Sequence, residues 1–222
     1  MFPRHIKFAA LAVDVAALSF IDGALNVRLV TTQVPVFKGK RALPGALIRP
    51  HETAHEAAVR VLEEKAGVSV KYLEQVCTFS TINRDPRGRV VSVAYMALLS
   101  PDELRAVKAR EMHGAAWVPL SRIPHLAYDH DEIIQTTAAR LRGKIEYTDI
   151  IRHLLPQAFT LTELQEACET ILEHPLDKRN FRKKLLAQGI VKQTGKSAHA
   201  SAHRPAALYM FTASRKGAVD LI

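Results

Sequence analysis

The sequence predicts an α/β protein in two parts. A mixed α/β domain is expected over residues 1–143, and a smaller domain of three helices and a β-hairpin over residues 144–222. The chain of 222 residues is 48% hydrophobic, which supplies a core for one ordinary domain and a small second one. Strand-like segments dominate the first part and helical segments the second. The charge pattern also changes, because residues 178–204 contain eight basic residues and no acidic one.

The first domain opens with an apolar run over residues 8–20, which Asp14 interrupts. This run is too short to cross a bilayer, so we expect no membrane partner. It predicts a buried strand, which Asp22 and Gly23 turn into a second strand over residues 24–31.

The rest of the first domain mixes strands with two helices. A helix is predicted over residues 53–66, with Gly67 just past its end as a left-handed cap. Asp129 is expected to cap a second helix that runs to residue 141, and Gly143 marks the predicted domain boundary. The remaining apolar stretches predict three strands, over residues 70–82, 89–99 and 115–120.

The second domain shows three helical segments followed by two strands. The helices are predicted over residues 145–154, from Thr160 or Thr162 to residue 172, and from Asp177 to Gly189, and the strands over residues 190–194 and 207–212. Pro156 stops the first helix, and the threonines and the aspartate are typical N-cap residues. Three helices and a hairpin make a winged helix, which is a helix-turn-helix with an added β-wing.

The charge of the chain favours a polyanionic partner, since the formal net charge is +9 and the pI is near 9.7. On the third helix Phe181 and Leu185 form an inward stripe, which leaves the basic positions facing outward. Double-stranded DNA is therefore the predicted partner, and a solvated basic helix is the alternative. The candidate DNA contacts are Lys178, Arg179, Asn180, Arg182 and Lys183 on the helix, and Lys196 and Arg204 in the wing.

Residues 46–68 resemble the Nudix hydrolase box, Gly-x5-Glu-x7-Arg-Glu-apolar-x-Glu-Glu-x-Gly-apolar. Among the positions that match its fixed residues are Glu52, Arg60, Gly67 and Val68. The positions that replace its glycine and two of its glutamates are Ala46, Val61 and Lys65. The resemblance implies a pocket for a nucleotide diphosphate, in which the family's helical glutamates hold Mg²⁺.

The two replaced glutamates bear on catalysis. Positions 61, 64, 65 and 68 are spaced to share one helix face, which offers the carboxylate of Glu64 beside Val61 and Lys65. A hard dication on a diphosphate needs several carboxylate oxygens. We therefore expect no metal site and no catalytic residue here. Lys65 either contacts a phosphate in place of the metal or is a solvated helix lysine.

A shorter motif overlaps the box. His51, Glu52 and His55 spell His-Glu-x-x-His, which on a continuous helix would bind zinc. Pro50 stands directly before the motif, so the helix is expected to begin near this point rather than run through it. The box has more constraints than this five-residue motif, so a zinc protease is the weaker interpretation.

Together the two domains resemble the NrtR family of Nudix-related transcriptional regulators over nearly the whole chain. The stretches that carry the resemblance are the degenerate box and residues 84–95, 126–134, 154–165, 178–184 and 204–209. The resemblance implies a Nudix α/β/α sandwich followed by a small winged helix-turn-helix domain. It also implies a bacterial homodimeric repressor, usually of NAD-biosynthesis genes, that releases its DNA operator when ADP-ribose or a related nucleotide binds. A nucleotide effector is thus expected, and no cofactor.

A diphosphate in the Nudix cleft would contact residues of the box and of the turn between the strands predicted over residues 70–82 and 89–99. The candidate ligand-binding residues are Arg60, Glu64, Lys65, Arg84 and Arg87. Cys77 and Cys168 are far apart, which predicts reduced thiols and a cytoplasmic location. Three functions stay open: a ligand-gated repressor, a residual Nudix hydrolase with a nucleic-acid-binding extension, and a DNA-binding dimer whose Nudix domain is only a scaffold.

Overall fold

The computed structural model describes residues 8–106, 114–198 and 205–213. Its strands are β1 (Ala10–Ile21), β2 (Ala24–Thr31), β3 (Arg41–Ala42), β4 (Gly45–Leu47), β5 (Tyr72–Phe79), β6 (Val90–Leu99), β7 (Ala116–Pro119), β8 (Val191–Ser197) and β9 (Ala207–Phe211). Its α-helices are α1 (Ala54–Val61), α2 (Pro101–Ala106), α3 (His130–Tyr147), α4 (Leu161–Leu172) and α5 (Lys178–Ala187). A π-helical turn follows α1 (Leu62–Ala66), and short 3-10 segments cover Pro35–Phe37, Leu120–Arg122 and Ile150–His153.

The first domain is built on a seven-stranded mixed sheet with β1 at its centre. The order of the main strands is β3-β2-β1-β6-β5, while β4 pairs with β1 and β7 pairs with β2. β1 runs parallel to β6 from Ala10 to Ser19 and antiparallel to β2 and β4. The predicted turn between the first two strands is confirmed, with φ of 49° at Asp22 and 76° at Gly23.

Alternate residues of β1 point to opposite faces of the sheet, as the pleat of a strand requires. Val13, Val15 and Ala17 belong to one apolar cluster with the buried side of α1. Ala16 and Leu18 belong to a second cluster with α3. Helices therefore cover both faces of the sheet, and the predicted α/β/α sandwich is confirmed.

The helix predicted over residues 53–66 is confirmed, with one difference in its last part. Thr53 and Glu56 form a reciprocal capping box at its start. After Val61 the α-helix gives way to the π-helical turn, and Gly67 ends it in the left-handed conformation at φ 68°. The π-helical turn changes the rotation of the chain, so side chains before and after residue 61 do not keep a single α-helical phase.

The helix α2 is not among the elements predicted from the sequence. The signal was present, because Ser100 and Glu103 form a second capping box and Pro101 occupies the first helical position. Asp102 of this helix accepts a hydrogen bond from the peptide N–H of Gln157 at 2.6 Å. The helix thus contacts the segment that leads into the second domain.

The boundaries predicted around α3 need correction. The helix does not end at residue 141 but continues to Tyr147, and Gly143, the predicted domain boundary, lies inside it. Thr148, the residue after the helix, has an extended backbone, and its Oγ1 donates to the Lys144 carbonyl at 2.7 Å. The separate helix predicted over residues 145–154 is wrong, because its first three residues belong to α3 and Ile150–His153 forms a 3-10 segment.

A second correction concerns the start of α3. Asp129 holds the N-cap position, as predicted, but its side chain makes no capping hydrogen bond. The carboxylate instead binds Arg84. The N-cap position of Asp129 is therefore predicted correctly, whereas the partner of its side chain is not.

The second domain has two of its three predicted helices, α4 and α5, and the predicted wing. Thr160, rather than Thr162, caps α4 through a capping box with Glu163. Asp177 caps α5 by accepting a hydrogen bond from the Asn180 N–H at 2.7 Å. β8 and β9 form the antiparallel hairpin that completes the winged helix.

The two domains share one continuous hydrophobic cluster. It includes the sheet residue Leu18, the α3 residues Leu141 and Ile145, and the second-domain residues Leu164 and Phe181. The winged helix is therefore packed against the first domain rather than attached only by a linker. Among the helices of the described residues, none has the length and apolar character needed to cross a membrane.

Candidate functional site

A cavity of about 690 Å³ opens in the first domain. Its walls come from β1, β2, β4, the π-helical turn and the segments that precede β6 and α3. This volume is in the range of small-molecule sites, which are about 300 to 1,000 Å³. Four of the predicted ligand-binding residues line the cavity, namely Glu64, Lys65, Arg84 and Arg87.

The floor of the cavity is a buried polar network centred on Asp14. Its carboxylate accepts hydrogen bonds from Ser92 Oγ at 2.7 Å and Arg84 Nη2 at 3.0 Å, and His130 Nε2 lies 3.4 Å away. The Leu43 N–H donates to His130 Nδ1 at 2.9 Å, so Nε2 is the nitrogen that donates toward Asp14. Burial raises the pKa of Asp14. The hydrogen bonds and nearby positive charge outweigh burial and hold this pKa well below its ordinary value.

Sequence reasoning did not select Asp14, Asp129 or His130 for this site. Asp14 interrupts an otherwise apolar strand, and this strand is central in the sheet. A carboxylate buried in a central strand requires partners, because an unpaired buried charge is strongly unfavourable. That interruption was the signal that could have identified the network.

β4 approaches the network so closely that only glycine fits at position 45. A Cβ atom on Gly45 would lie 2.0 Å from Asp14 Oδ1. Lys65 Nζ donates to the Gly45 carbonyl at 2.5 Å, which places the ammonium group in the cavity wall. Burial lowers the pKa of Lys65, and the negative charge of Asp14 opposes this shift.

Arg84 crosses the cavity between two carboxylates. Its Nε and Nη2 bind the two oxygens of Asp129 at 2.8 and 2.6 Å, and Nη2 also binds Asp14. Only 3% of the Arg84 side chain is exposed. This cation therefore has its charge balanced inside the protein, although it lines the cavity.

Arg87 and Tyr128 lie together in the cavity wall. The Arg87 guanidinium binds both oxygens of Asp85, at 2.9 and 2.6 Å, and its central carbon lies 5.7 Å from the centre of the Tyr128 ring. The Phe37 ring packs against the Tyr128 ring, and the two ring centres are 4.5 Å apart. Arg87 is about half exposed, so its outer edge remains accessible to a ligand.

Arg60 differs from the other predicted ligand-binding residues, because it does not line the cavity. Its Nη2 and Nε bind the carboxylate of Glu52 at 2.5 and 2.9 Å, and its Nη1 binds Glu64 at 3.2 Å. The hydrogen bonds from Arg60 lower the pKa of Glu52 to about 2. The pair ties the loop before α1 to the helix itself.

The Glu52–Arg60 ion pair and the start of α1 both argue against the zinc interpretation. α1 begins at Ala54, so His51 and Glu52 precede the helix and do not share a face with His55. The Glu52 carboxylate is held by Arg60 and by the Arg49 N–H. Within the residues that the structure describes, no group of three His, Cys, Asp or Glu side chains is placed to hold a metal ion.

The predicted common face of positions 61, 64, 65 and 68 is also wrong. Val61 and Val68 are buried in the cluster between α1 and the sheet, whereas Glu64 and Lys65 line the cavity. The π-helical turn separates them, because it begins directly after Val61. The two replaced glutamate positions therefore face different environments.

The second candidate surface is the outer side of α5 with the wing. Phe181 and Leu185 are buried as predicted, which confirms the inward stripe. The predicted contacts that are exposed are Lys178, Arg179, Asn180, Lys183 and Lys196. Arg182 is half-buried, and its Nη2 donates to Thr162 Oγ1 of α4 at 2.9 Å. Arg204 lies outside the described residues.

Two family models match the chain, one for each domain. The model described as NUDIX domain matches residues 11–138, and the model described as NrtR DNA-binding winged helix domain matches residues 151–211. The ADPR responsive transcriptional repressor NtrR of Acinetobacter baylyi is 37% identical over 207 residues, which cover 90% of this chain and 81% of the relative. The chain belongs to the NrtR family.

Solved structures of the NrtR family support the same architecture. NrtR of Shewanella oneidensis superposes with a TM-score of 0.81 at 32% identity, covering 91% of this chain and 94% of that one. The same protein in complex with a 27mer DNA gives a TM-score of 0.78 at 32% identity, covering 91% and 93%. Its NUDIX domain in complex with ADP ribose gives 0.55 at 32% identity, covering 64% of this chain and 94% of that domain.

The Nudix domain alone also has an enzyme among its relatives. The ADP-ribose pyrophosphatase of Methanocaldococcus jannaschii is 33% identical over 126 residues, which cover 57% of this chain and 71% of the enzyme. The similarity to the Acinetobacter baylyi repressor therefore extends over both domains, and the similarity to this pyrophosphatase is confined to the first.

In this NrtR-family chain we predict that Asp14→Asn destabilises the fold in a pH-dependent way. An asparagine cannot accept all three hydrogen bonds, and it removes one of the two negative charges that balance the buried Arg84. We therefore expect the free energy of unfolding at pH 7 to fall by about 3 to 5 kcal/mol. Since the folded-state pKa of Asp14 is lowered, its stabilisation is complete above the ordinary carboxyl pKa of about 4 and decreases as the pH falls below it.

Chemical unfolding of both proteins between pH 6 and pH 3 measures this difference. Asp22→Asn, at the exposed turn between β1 and β2, is the control, and its unfolding free energy should change by less than about 0.5 kcal/mol. A penalty for Asp14→Asn that stays constant from pH 6 to pH 3 would contradict the ionised, hydrogen-bonded carboxylate.

Proposed function

We propose that this protein is a DNA-binding transcriptional repressor that binds ADP-ribose in its Nudix cavity and releases its operator DNA. The observation that carries this proposal is the 37% identity to an ADPR responsive repressor, which extends over both domains. The DNA and ADP ribose complexes of the Shewanella oneidensis protein support the same two ligands. The cavity and the basic α5 surface supply the matching chemistry in this chain.

The ligand carries a diphosphate, so the cavity must provide positive charge. Of its three Lys and Arg side chains, Arg84 and Arg87 are paired with carboxylates. Lys65 alone, among the Lys and Arg side chains that the structure describes in the cavity wall, has no carboxylate within 4.0 Å. We assign it the principal phosphate contact, which an ammonium makes as a point charge. Arg84 and the accessible edge of Arg87 contribute further contacts.

The remaining predicted ligand residues take supporting positions in the proposal. Arg60 orders the loop that carries Glu52 and orients Glu64, whose carboxylate also accepts from Arg49 at 3.4 Å. Glu64 lies in the cavity wall beside Lys65. Its negative charge limits the ligand to orientations that keep phosphate oxygens away from it.

The donor set of the cavity does not fit the Mg²⁺ that the Nudix family uses. Position 61 is a valine in the core, position 65 is a lysine, and Glu64 is engaged by two arginines. Mg²⁺ requires oxygen ligands in octahedral geometry, and an ammonium in the same wall repels it. We therefore propose that the protein does not hydrolyse ADP-ribose. A residual hydrolase, which the similarity to ADP-ribose pyrophosphatase favours, is the second candidate.

The DNA contacts are proposed on the exposed side of α5. Arg179 and Asn180 lie in its first turn, the part of a recognition helix that reaches base edges, and their side chains pair with guanine and adenine. The phosphate contacts are assigned to Lys178, Arg182 and Lys183 on the helix and to Lys196 and Arg204 in the wing. Arg182 also positions α5, because it donates to α4.

The proposal includes a homodimer in the bacterial cytoplasm. A two-fold dimer matches an operator with two half-sites, and the Nudix domain provides the dimer interface in this proposal. The regulated genes would be those of NAD biosynthesis or salvage. Ligand binding weakens DNA binding if the liganded dimer places its winged helices at the wrong spacing.

A gel shift on the upstream region of the protein's own gene tests the function. The wild-type protein should retard this DNA and release it when ADP-ribose is added, and the nucleotide should remain intact after incubation with Mg²⁺. A shift that ADP-ribose does not change would leave a DNA-binding dimer with a scaffold domain. Turnover of ADP-ribose near 1 s⁻¹, at the low end of ordinary enzyme rates, would instead favour the hydrolase.

We predict that Lys65→Glu weakens ADP-ribose binding by about tenfold or more, because it replaces a charge-assisted contact with a repulsive charge. Operator affinity without ligand should stay within about twofold of wild type. Calorimetry and the gel shift measure the two affinities. Lys71→Glu, at an exposed position before β5, is the matched control. Unchanged ADP-ribose affinity in Lys65→Glu, with an unaltered thermal melt, would mean that Lys65 is only a solvated lysine.

We predict different losses for Arg179→Ala and Lys196→Ala. Arg179 is assigned to a base, so its loss should weaken operator binding by about 1 to 3 kcal/mol more than binding to random DNA. Lys196 is assigned to a phosphate, so its loss should weaken both DNAs equally and reduce the salt slope by about one unit. Affinities for both DNAs across a salt series distinguish these cases. Parallel losses in Arg179→Ala would make Arg179 another phosphate contact.

A further inference from the structure

The first turn of α3 differs from those of the other long helices. The N-cap residues of α1, α4 and α5 have extended backbones, with ψ between 110° and 165°, and each side chain accepts a capping hydrogen bond. Asp129, at the N-cap of α3, has ψ of 24° and makes no capping bond. An aspartate is among the best N-cap residues, but here the Glu132 N–H donates to the backbone carbonyl of Asp129 at 3.0 Å instead of to its carboxylate.

Arg84 is the reason for the missing cap. The guanidinium binds both oxygens of Asp129, which turns the carboxylate away from the helix and into the cavity wall. The preceding residue, Tyr128, has φ of 59°, a left-handed conformation that is uncommon for a bulky non-glycine residue. Backbone strain of this kind persists where surrounding contacts impose it, and it is common at switch regions.

The two carboxylates that hold Arg84 are not equally fixed. Asp14 also binds Ser92 and His130, and it lies in the central strand of the sheet. The Asp129 carboxylate has Arg84 as its donor, and the described residues provide no other. An anion that approaches Arg84 therefore competes most directly with Asp129, because the two negative charges would share one cation.

α3 connects this point to the DNA-binding domain. It is one continuous helix of 18 residues, about 27 Å long at 1.5 Å per residue. Near its C-terminal end Arg142 Nε donates to the Ile171 carbonyl of α4 at 3.1 Å, and Arg142 Nη2 lies 2.6 Å from the Glu173 carboxylate. Leu141 and Ile145 lie in the apolar cluster shared with the winged helix. A change in the first turn of α3 is therefore transmitted to α4, because the same continuous helix packs on α4.

We propose that the Arg84–Asp129 ion pair is a ligand-operated switch: a phosphate group that binds Arg84 displaces Asp129, which then caps α3. The inference rests on the proposed function, since it describes how the same cavity acts on the same DNA-binding domain. While the ion pair is formed, Arg84 keeps the Asp129 side chain from capping α3, and Tyr128 keeps its left-handed conformation. In the liganded protein ψ of Asp129 rotates to the extended region, and its carboxylate accepts from the Glu132 N–H, as Asp177 does from Asn180 in α5.

Asp129→Asn tests the switch with the full-length protein. The amide removes the charge that holds Arg84 but keeps the ability to cap, because asparagine and aspartate are comparable N-cap residues. Calorimetry measures the ADP-ribose affinity, and a gel shift measures the operator affinity without ligand. We expect ADP-ribose to bind at least fivefold more tightly and the operator at least fivefold more weakly than in wild type.

Two further variants complete the experiment. Asp131→Asn removes a charge from the same turn, where Asp131 accepts from the Leu126 N–H and lies beside His125 but does not contact Arg84. This control should match wild type in both affinities. Asp129→Ala frees Arg84 but cannot cap α3. ADP-ribose should therefore again bind more tightly than to wild type, whereas the operator should bind about fivefold more tightly than to Asp129→Asn. If the asparagine variant does not fold, an unchanged ADP-ribose affinity in Asp129→Ala would overturn the switch.

The outcomes separate the switch from the function on which it rests. If wild type releases DNA with ADP-ribose but both Asp129 variants keep wild-type affinities, the switch is wrong and the proposed function stands. In Asp129→Asn, tighter ADP-ribose binding with unchanged operator affinity would also overturn the switch, because Asp129 would then be only a competing charge. If the wild-type protein neither binds ADP-ribose nor releases DNA, both proposals fail.

Discussion

The buried ion pair between Asp14 and Arg84 is the interaction on which the cavity depends. Removing two charges from water is unfavourable in free energy unless each charge makes several hydrogen bonds with good geometry. The partners here come from β6, from the turn before β6 and from the first residues of α3, so the network fixes the sheet and the helix relative to each other. Gly45 is part of the same constraint, since a side chain there would occupy the space of the Asp14 carboxylate.

Local rules in the sequence predicted most of the fold. Thr53 and Gly67 mark the ends of one helix, and Asp177 marks the start of another, because capping is decided by a few neighbouring residues. The rules failed where distant contacts decide. Gly143 does not end α3, since packing against the second domain continues the helix past a weak helix former. Asp129 does not cap α3, since Arg84, 45 residues away, binds it.

The candidate site shows the same division. The box spacing led correctly to Lys65 in the cavity wall, but it did not separate Lys65 from Arg60, whose charge is used to order the loop before α1. A periodic face drawn through positions 61 to 68 ignored the π-helical turn, which sequence patterns do not reveal. Asp14 interrupts an apolar strand in the sequence, but its partners Arg84 and His130 could be identified only from the folded arrangement of distant segments.

In the proposed function the Nudix cavity and the DNA surface are energetically coupled, and reciprocal binding measures this coupling directly. ADP-ribose affinity would be determined by calorimetry for the free protein and for the protein saturated with operator DNA. The operator affinity would be determined with and without saturating ADP-ribose. We predict that DNA weakens ADP-ribose binding by the same factor by which ADP-ribose weakens DNA binding, between about 5-fold and 150-fold for an ordinary coupling. Equal ADP-ribose affinities for the free and the DNA-bound protein would contradict it.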